Sequence, residues 1–320
     1  MAIRQKDSLQ PKSTAPMMTG RGSRPSVIVW LPALLIAVAI ALPIVYLAVR
    51  AVGAGSDFPA LIFRTRTLEI ILRSLALVVV VTTSSLAIAL PLAWLTTRTD
   101  LPWRRTISVM TSLPLVIPSY IGGFVVIVAL GPKGMLQDLL EFLFGVERLP
   151  DIYGFPGAVL TLTLLSYPYV LLPVRAALIK LDPSLEDASR SLGHSGWTTF
   201  RQITIPLLRP SISAGALLVA LYTLSDFGAV SLMRYDTFTW VIYQQYQNSF
   251  DRTIAALLSM VLVITVLTIL ASESFTRGRV RYSSVGTGTA RVPKTIKLGV
   301  WKWVAFGFCS TILCFGLILP

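Results

Sequence analysis

The sequence predicts an all-α integral membrane protein, and three observations carry that prediction. The chain of 320 residues is 54% hydrophobic and only 13% charged, whereas soluble domains run near a quarter charged. Its mean hydropathy is +0.72. Its apolar residues gather into seven runs, 27–49, 70–95, 107–130, 156–179, 211–233, 253–271 and 303–320, each near the length of about 20 residues that a helix needs to cross a bilayer.

The polar stretch at residues 1–25 carries five Lys/Arg among Ser, Pro and Gly. No A-x-A cleavage pattern precedes the first run, which is long enough to span, so the reading is a retained tail rather than a signal peptide. Proline and glycine interrupt several runs: Pro32 and Pro43 in the first, Pro114, Pro118, Gly122 and Gly123 in the third, Pro168 and Pro173 in the fourth. Membrane helices tolerate such breakers where neighbours satisfy the freed backbone groups. They point to kinked helices packed around a pathway rather than to one anchor.

The net charge of +13 does not call for nucleic acid, because membrane proteins collect Lys and Arg in cytoplasmic segments. With the N-terminus inside, segments 1–25, 96–106, 175–210 and 272–302 hold 20 of the 28 Lys/Arg. Segments 50–67, 131–155 and 234–252 hold seven. That asymmetry predicts a cytoplasmic N-terminus. Within 131–155, the stretch MLQDLLEFLF has Leu136, Leu139, Leu140 and Leu143 at helical spacing, which predicts an amphipathic helix on the outer surface. Two cysteines, Cys309 and Cys314, share one apolar run, which argues against a disulfide framework or a cysteine metal site.

Residues 185–210, LEDASRSLGHSGWTTFRQITIPLLRP, are too polar and too patterned for a spacer. Asp182-Pro183-Ser184 is a helix start, with Asp as N-cap and Pro in the first turn. Ser184 with Asp187 offers an alternative capping box. Leu185, Ala188 and Leu192 fall on one helical face, and Gly193 is placed to end the helix. Ser195 can cap a second short helix bearing Trp197, Phe200 and Ile203, after which Pro206 and Pro210 lead into the fifth run. Two short helices bent at a glycine make a knob that fits a groove on another protein.

This segment resembles the cytoplasmic loop of type I ABC importer permeases, whose pattern is E-A-A-x(3)-G-x(9)-I-x-L-P. Asp187-Ala188-Ser189 stands at E-A-A, Gly193 at the glycine, and Ile203-Thr204-Ile205-Pro206 at I-x-L-P. The departures are Asp for Glu, Ser for the second Ala and Ile for Leu; Glu186 could also supply the acid. The resemblance implies the type I permease fold, a six-span core plus the seventh run. It also implies a coupling role for Glu186, Asp187, Ala188, Ser189, Gly193, Trp197, Ile203, Ile205 and Pro206. In that family the loop docks on cytoplasmic ATPase subunits, and a periplasmic binding protein delivers substrate. No G-x-x-x-x-G-K-[ST] motif is present, so ATP would be used by the partner, with no cofactor on this chain and no enzyme activity of its own. The implied location is the bacterial inner membrane, multi-pass.

The resemblance covers about 68–273. Within it LPLVIPSYIGGF, YPYVLLPVRAAL and LSDFGAVSLMRYDTFTWVIYQQY are most similar to ferric iron permeases, which are often two halves fused in one chain. The domain reading is therefore a basic tail (1–25), a first span with outer loop (26–67), a permease domain (68–273) with coupling loop 182–210, a basic linker (274–302), and a seventh span (303–320). That last span could open a second half, in which case the chain is a truncated copy.

Asp226 is the ionisable residue expected deepest in the membrane, within the fifth run. Such a group faces a partner or a watery cavity. With Tyr120, Tyr167 and Tyr169 it would offer hard oxygen groups suited to a ferric ion; a structural contact between helices is the other reading. Glu69 and Arg73 are spaced as a helix ion pair. Same-class alternatives import thiamine, polyamine or an oxyanion. An ion-coupled secondary transporter and a membrane scaffold are the different-class alternatives, and neither gives the patterned loop a role.

Overall fold

The computed structural model describes residues 27–53, 64–132, 134–145, 150–248, 252–277 and 295–318. The basic tail at 1–25 lies outside the described residues, as does most of the basic linker. The chain divides into two units, Met1–Tyr46 and Leu47–Pro320. The first holds most of helix α1 (Val27–Gly53), which runs through Pro32 and Pro43.

The second unit is built on three long helices, α2 (Thr65–Arg98), α6 (Phe155–Lys180) and α9 (Ile205–Ser225). Helix α6 is central and packs against both others. Its sequence has no polar face, and a helix apolar all round belongs in a core. Leu162, Val170, Leu171 and Val174 of α6 are fully buried against Leu77, Val81, Ala89 and Leu92 of α2 and Val219 of α9. Small residues set the spacing. Ser85 and Ser166 share a buried hydrogen bond of 3.2 Å between α2 and α6. Gly215 of α9 lies so close to α6 that a Cβ there would stand 2.7 Å from the Cα of Val170.

The third apolar run, read as one span over 107–130, is instead three pieces. Helix α3 (Arg104–Met110) is followed by a 3-10 turn (Leu113–Val116) and then by α4 (Ser119–Leu130). The two prolines impose the breaks. Ile117, just before Pro118, is extended with φ −80° and ψ 120°, as the residue before a proline prefers. Helix α5 (Met135–Phe144) follows, where the leucine spacing places an amphipathic helix. A second correction concerns the fifth run, read as 211–233. The helix begins at Gly196 and ends at Ser225 without a break in between.

Between α6 and α9 lie α7 (Pro183–Ser191) and α8 (Gly196–Thr199). A π turn (Phe200–Thr204) joins α8 to α9. The extra residue of this wider turn precedes Pro206, which has no N–H to give to the preceding turn. Helix α9 stops at Asp226 and the chain continues as short α10 (Gly228–Leu232), α11 (Phe238–Asn248) and α12 (Thr253–Arg277). Ile70 of α2, Phe238 and Val241 of α11, and Leu258 and Val261 of α12 form a second core at the far end. There Asp236 bonds Arg66 at 2.9 Å, and Arg73 pairs with Glu69. The last run is helix α13 (Trp301–Leu313) with a π turn (Cys314–Ile318).

Among the described residues six helical stretches are long and apolar enough to cross a membrane, and the seventh, Trp301–Leu317, is shorter. The segments read as lying on one side of the membrane meet at one end of the second unit: the C-termini of α2 and α6, helices α7 and α8, and residues 295–298.

The α6–α9 contact gives a stability prediction. Gly215→Ala is expected to destabilise the chain in detergent by about 1–3 kcal/mol, the usual range for overpacking. Gly307→Ala, with nothing near its added Cβ, is expected to be neutral. Thermal melting of both variants checks this.

Candidate functional site

The polar segment folds as its residues dictate. The Asp182 carboxylate accepts the Ser184 N–H at 2.9 Å, and Pro183 occupies the first turn, where no N–H is missed. Gly193 takes φ +89°, a region open to glycine and strained for other L-residues. The Ser195 hydroxyl caps the next helix by accepting the Thr198 N–H at 3.2 Å. The two short helices are then tied by a buried hydrogen bond of 3.0 Å between Ser189 and Thr199. Serine thus replaces the pattern's second alanine with a cross-link.

Asp187, which stands at the pattern's acid, and Glu186, the alternative, separate in space. Asp187 is exposed. Glu186 turns inward, accepts the Thr204 hydroxyl at 3.0 Å and lies 3.7 Å from the Arg98 guanidinium. Arg98 is only 4% exposed and donates to the Leu178 carbonyl at 3.1 Å. The carboxylate therefore fastens α7 to the ends of α2 and α6. The opposite face bears large apolar groups in the open: Leu192 is 80% and Trp197 70% exposed, with Leu185 and Ala188 also outside. Trp197 stacks on Phe200 at 5.8 Å, and Phe200 meets Trp94 edge-on at 6.3 Å. Ile203, Ile205 and Pro206 are half-buried at the exit into α9.

Residues 295–298, within the linker, close one side of this structure. Ile296 pairs with Thr99 as a short parallel bridge. Its N–H donates to the Arg98 carbonyl at 2.8 Å and its carbonyl accepts the Asp100 N–H at 3.2 Å, while the Leu298 N–H reaches the Asp100 carboxylate at 2.8 Å. The Ile296 side chain walls two adjoining cavities under the knob. One, of about 420 Å³, is lined by Arg98, Glu186, Arg190 and Thr204; the other, of about 550 Å³, by Leu90, Trp94, Phe200 and Leu208. Nothing in the sequence pairs position 296 with position 99, because helices α3 to α12 lie between the partners in chain order.

The expected pathway residues divide. Asp226 is 6% exposed and sits at the break after α9 rather than inside a helix. Its carboxylate accepts the N–H groups of Ala229 at 3.0 Å and Val230 at 3.3 Å, with the Ser119 side chain close by. Ser119 also neighbours Tyr222, whose ring packs on Tyr169 at 5.3 Å. Asp226, Ser119, Tyr169 and Tyr222 thus form one polar cluster at the junction of α4, α6 and α9. Tyr120, half-exposed, adjoins it through Gly228, where a Cβ would stand 2.7 Å from the Tyr120 nitrogen. Tyr167 lies two residues from Tyr169, about 200° around the helix. It is fully buried on another side of α6, near Gly316. Ser119 and Tyr222 are missing from the sequence reading. The signal for Ser119 was its place just after Pro118, where a helix starts inside an apolar run.

Comparison with known proteins bears on both features. A family model described as binding-protein-dependent transport system inner membrane component matches residues 86–277. An Fe(3+)-transport system permease protein of Haemophilus influenzae is 35% identical over 296 residues, covering 91% of this chain and 54% of the relative. A molybdenum transport system permease of Escherichia coli is 34% identical over 145 residues, 45% of this chain and 62% of the relative. A sulfate transport system permease of Escherichia coli is 27% identical over 191 residues, 57% of this chain and 64% of the relative. The chain thus spans between about half and two thirds of the length of these relatives. Among solved structures, a bacterial alginate ABC transporter matches with TM-score 0.64 at 16% identity, over 79% of this chain and 94% of that one. The MetNI methionine ABC transporter matches with TM-score 0.52 at 20% identity, over 67% and 96%. These two show the fold.

The separation of the two acids is testable. Glu186→Ala leaves Arg98 buried without its carboxylate and is expected to cost about 1–3 kcal/mol. Asp187→Ala, a surface change, is expected to stay within about 0.5 kcal/mol. Thermal melting in detergent distinguishes them.

Proposed function

The chain belongs to the family of binding-protein-dependent transport inner membrane components, with the fold of type I ABC importer permeases, and on that premise we propose that it conducts ferric iron through the membrane, driven by a separate ATPase. The observation that carries the coupling role is the pinned knob. Leu185, Leu192 and Trp197 stand exposed while Glu186, Ser189 and Thr199 lock the two helices to the membrane core. Exposed apolar groups on a rigid base are what a partner's groove would grip. The docking set is Glu186, Asp187, Ala188, Ser189, Gly193, Trp197, Ile203, Ile205 and Pro206, with Glu186 and Ser189 acting from inside. This face is cytoplasmic in the proposal, as is the N-terminus, and a periplasmic binding protein delivers cargo at the other.

The link from knob to pathway is one helix. Gly196–Ser225 runs 30 residues without interruption, about 45 Å at the rise of an α-helix. A displacement of the knob by the ATPase would tilt this rod and move the break at Asp226 on its far end. The cluster there offers a carboxylate and hydroxyls, hard donors suited to a ferric ion. An Fe(3+) permease that matches along 91% of the chain supports iron. The molybdenum and sulfate permeases support an oxyanion as the second reading. ATP is bound by the partner, and this chain needs no cofactor.

Two measurements test the proposal, both in vesicles holding the full-length permease, its ATPase and its binding protein. ATP-dependent uptake of labelled ferric iron is expected, without uptake of molybdate, sulfate or thiamine; uptake of one of these in place of iron sinks the cargo assignment. Asp187→Lys and Gly193→Val are expected to lower uptake by roughly tenfold while ATP hydrolysis continues, a coupling loss of ordinary size. Normal uptake by both variants would remove the docking role.

A further inference from the structure

A second site lies beside the knob and has no part in the coupling proposal. Three arginines converge on one cavity of about 260 Å³: Arg104 and Arg105 from α3 and Arg175 from α6, with Ser108, Ile179 and Thr295 completing the walls. A neighbouring cavity shares Arg104, Arg105 and Thr295 and adds Trp103 and Asp100. The carboxylate of Asp100 is engaged by the Leu298 N–H. Among the described residues no carboxylate lies within ion-pair distance of Arg104, Arg105 or Arg175.

Arg175 is the informative member. It is partly buried, and its guanidinium is aimed by three oxygen contacts: the Ser108 carbonyl at 2.5 Å, the Ser108 hydroxyl at 2.6 Å and the Ser112 hydroxyl at 3.4 Å. All three partners are neutral, so its charge is oriented but not compensated. A cation held part-way out of water is stabilised by an anion. Excess Lys and Arg at this face follows from membrane topology alone, but that rule places charges along segments. It does not bring arginines from two helices, far apart in sequence, to one cavity with fixed geometry.

The surroundings identify the source of the anion. Thr96 and Thr97 of α2 and Ile179 of α6 lie in the last turns of two membrane-spanning helices. Ile179 is 62% and Trp103 77% exposed at the rim. Apolar and indole groups at such a level sit in the interfacial zone of a bilayer. Guanidinium groups match phosphate oxygens in a bidentate fashion. Basic pockets between membrane helices on the cytoplasmic side are the setting in which anionic lipid head groups are held.

We infer that Arg104, Arg105 and Arg175 form a binding site for the phosphate of an anionic lipid head group at the end of the permease that carries the knob. The site stands whatever the cargo is, and its test needs neither ATPase nor transport. The purified chain in neutral detergent is titrated with phosphatidylglycerol, with phosphatidylcholine and with inorganic phosphate, and occupancy is read by native mass spectrometry. Phosphatidylglycerol is expected to bind about tenfold tighter than phosphatidylcholine. Arg104→Gln/Arg105→Gln should abolish that preference, whereas Arg201→Gln/Arg209→Gln, with equal charge loss, should keep it. Equal binding of the two lipids by the unaltered chain overturns the site. Equal loss in both double variants reduces it to general charge and overturns it likewise. Inorganic phosphate binding as tightly as phosphatidylglycerol would overturn the lipid as the source.

Discussion

The guanidinium of Arg98 is buried at the end of α2, and the shape of the knob end follows from how its charge is satisfied. A buried cation is tolerated only with partners. Arg98 finds them on two other elements: the Leu178 carbonyl at the end of α6 and the Glu186 carboxylate on α7. Its own carbonyl accepts the Ile296 N–H. Four segments separated in sequence are thus fixed around one residue. Without it α7 would lose its tie to the ends of α2 and α6, and the face of Leu185, Leu192 and Trp197 would rest on the Ser189–Thr199 and Glu186–Thr204 hydrogen bonds.

Rigidity continues into the membrane through contacts that need small side chains. Gly215 lets α9 approach α6 to backbone distance, and Ser85 with Ser166 does the same for α2. In an apolar solvent helix association rests on such close packing and hydrogen bonding. The helix that begins at the knob is therefore held at backbone distance from α6. Its π turn absorbs Pro206 without ending it. One helical stretch thus runs from beside Trp197 to the break at Asp226.

That break is held by the carboxylate that, by sequence, stood inside a span. Two backbone N–H groups bond it, so Asp226 closes a helix junction as well as lining a polar cluster. The arginine cavity works in the opposite sense. There three arginines are gathered on one cavity with, among the described residues, no carboxylate in ion-pair range. One site satisfies its charge within the chain; the other leaves its charge for the surroundings.

Sequence alone determined the membrane class, most helix positions, and the knob. Composition and run length decide burial in lipid, and Asp182, Gly193 and Ser195 act on their own neighbours, so their effects are local and readable. Pro114 and Pro118 were also visible, but how far they split the third run depends on φ and ψ at Ile117 and on what packs beside it. Tertiary structure decided what depends on distance between remote residues. It chose Glu186 over Asp187 as the inward acid, because only Glu186 faces Thr204 and Arg98. It separated Tyr167 from Tyr169, added Ser119 and Tyr222 to Asp226, and set Ile296 against Thr99. Periodicity names the face of a helix, but the neighbour opposite that face is chosen by how the helices pack.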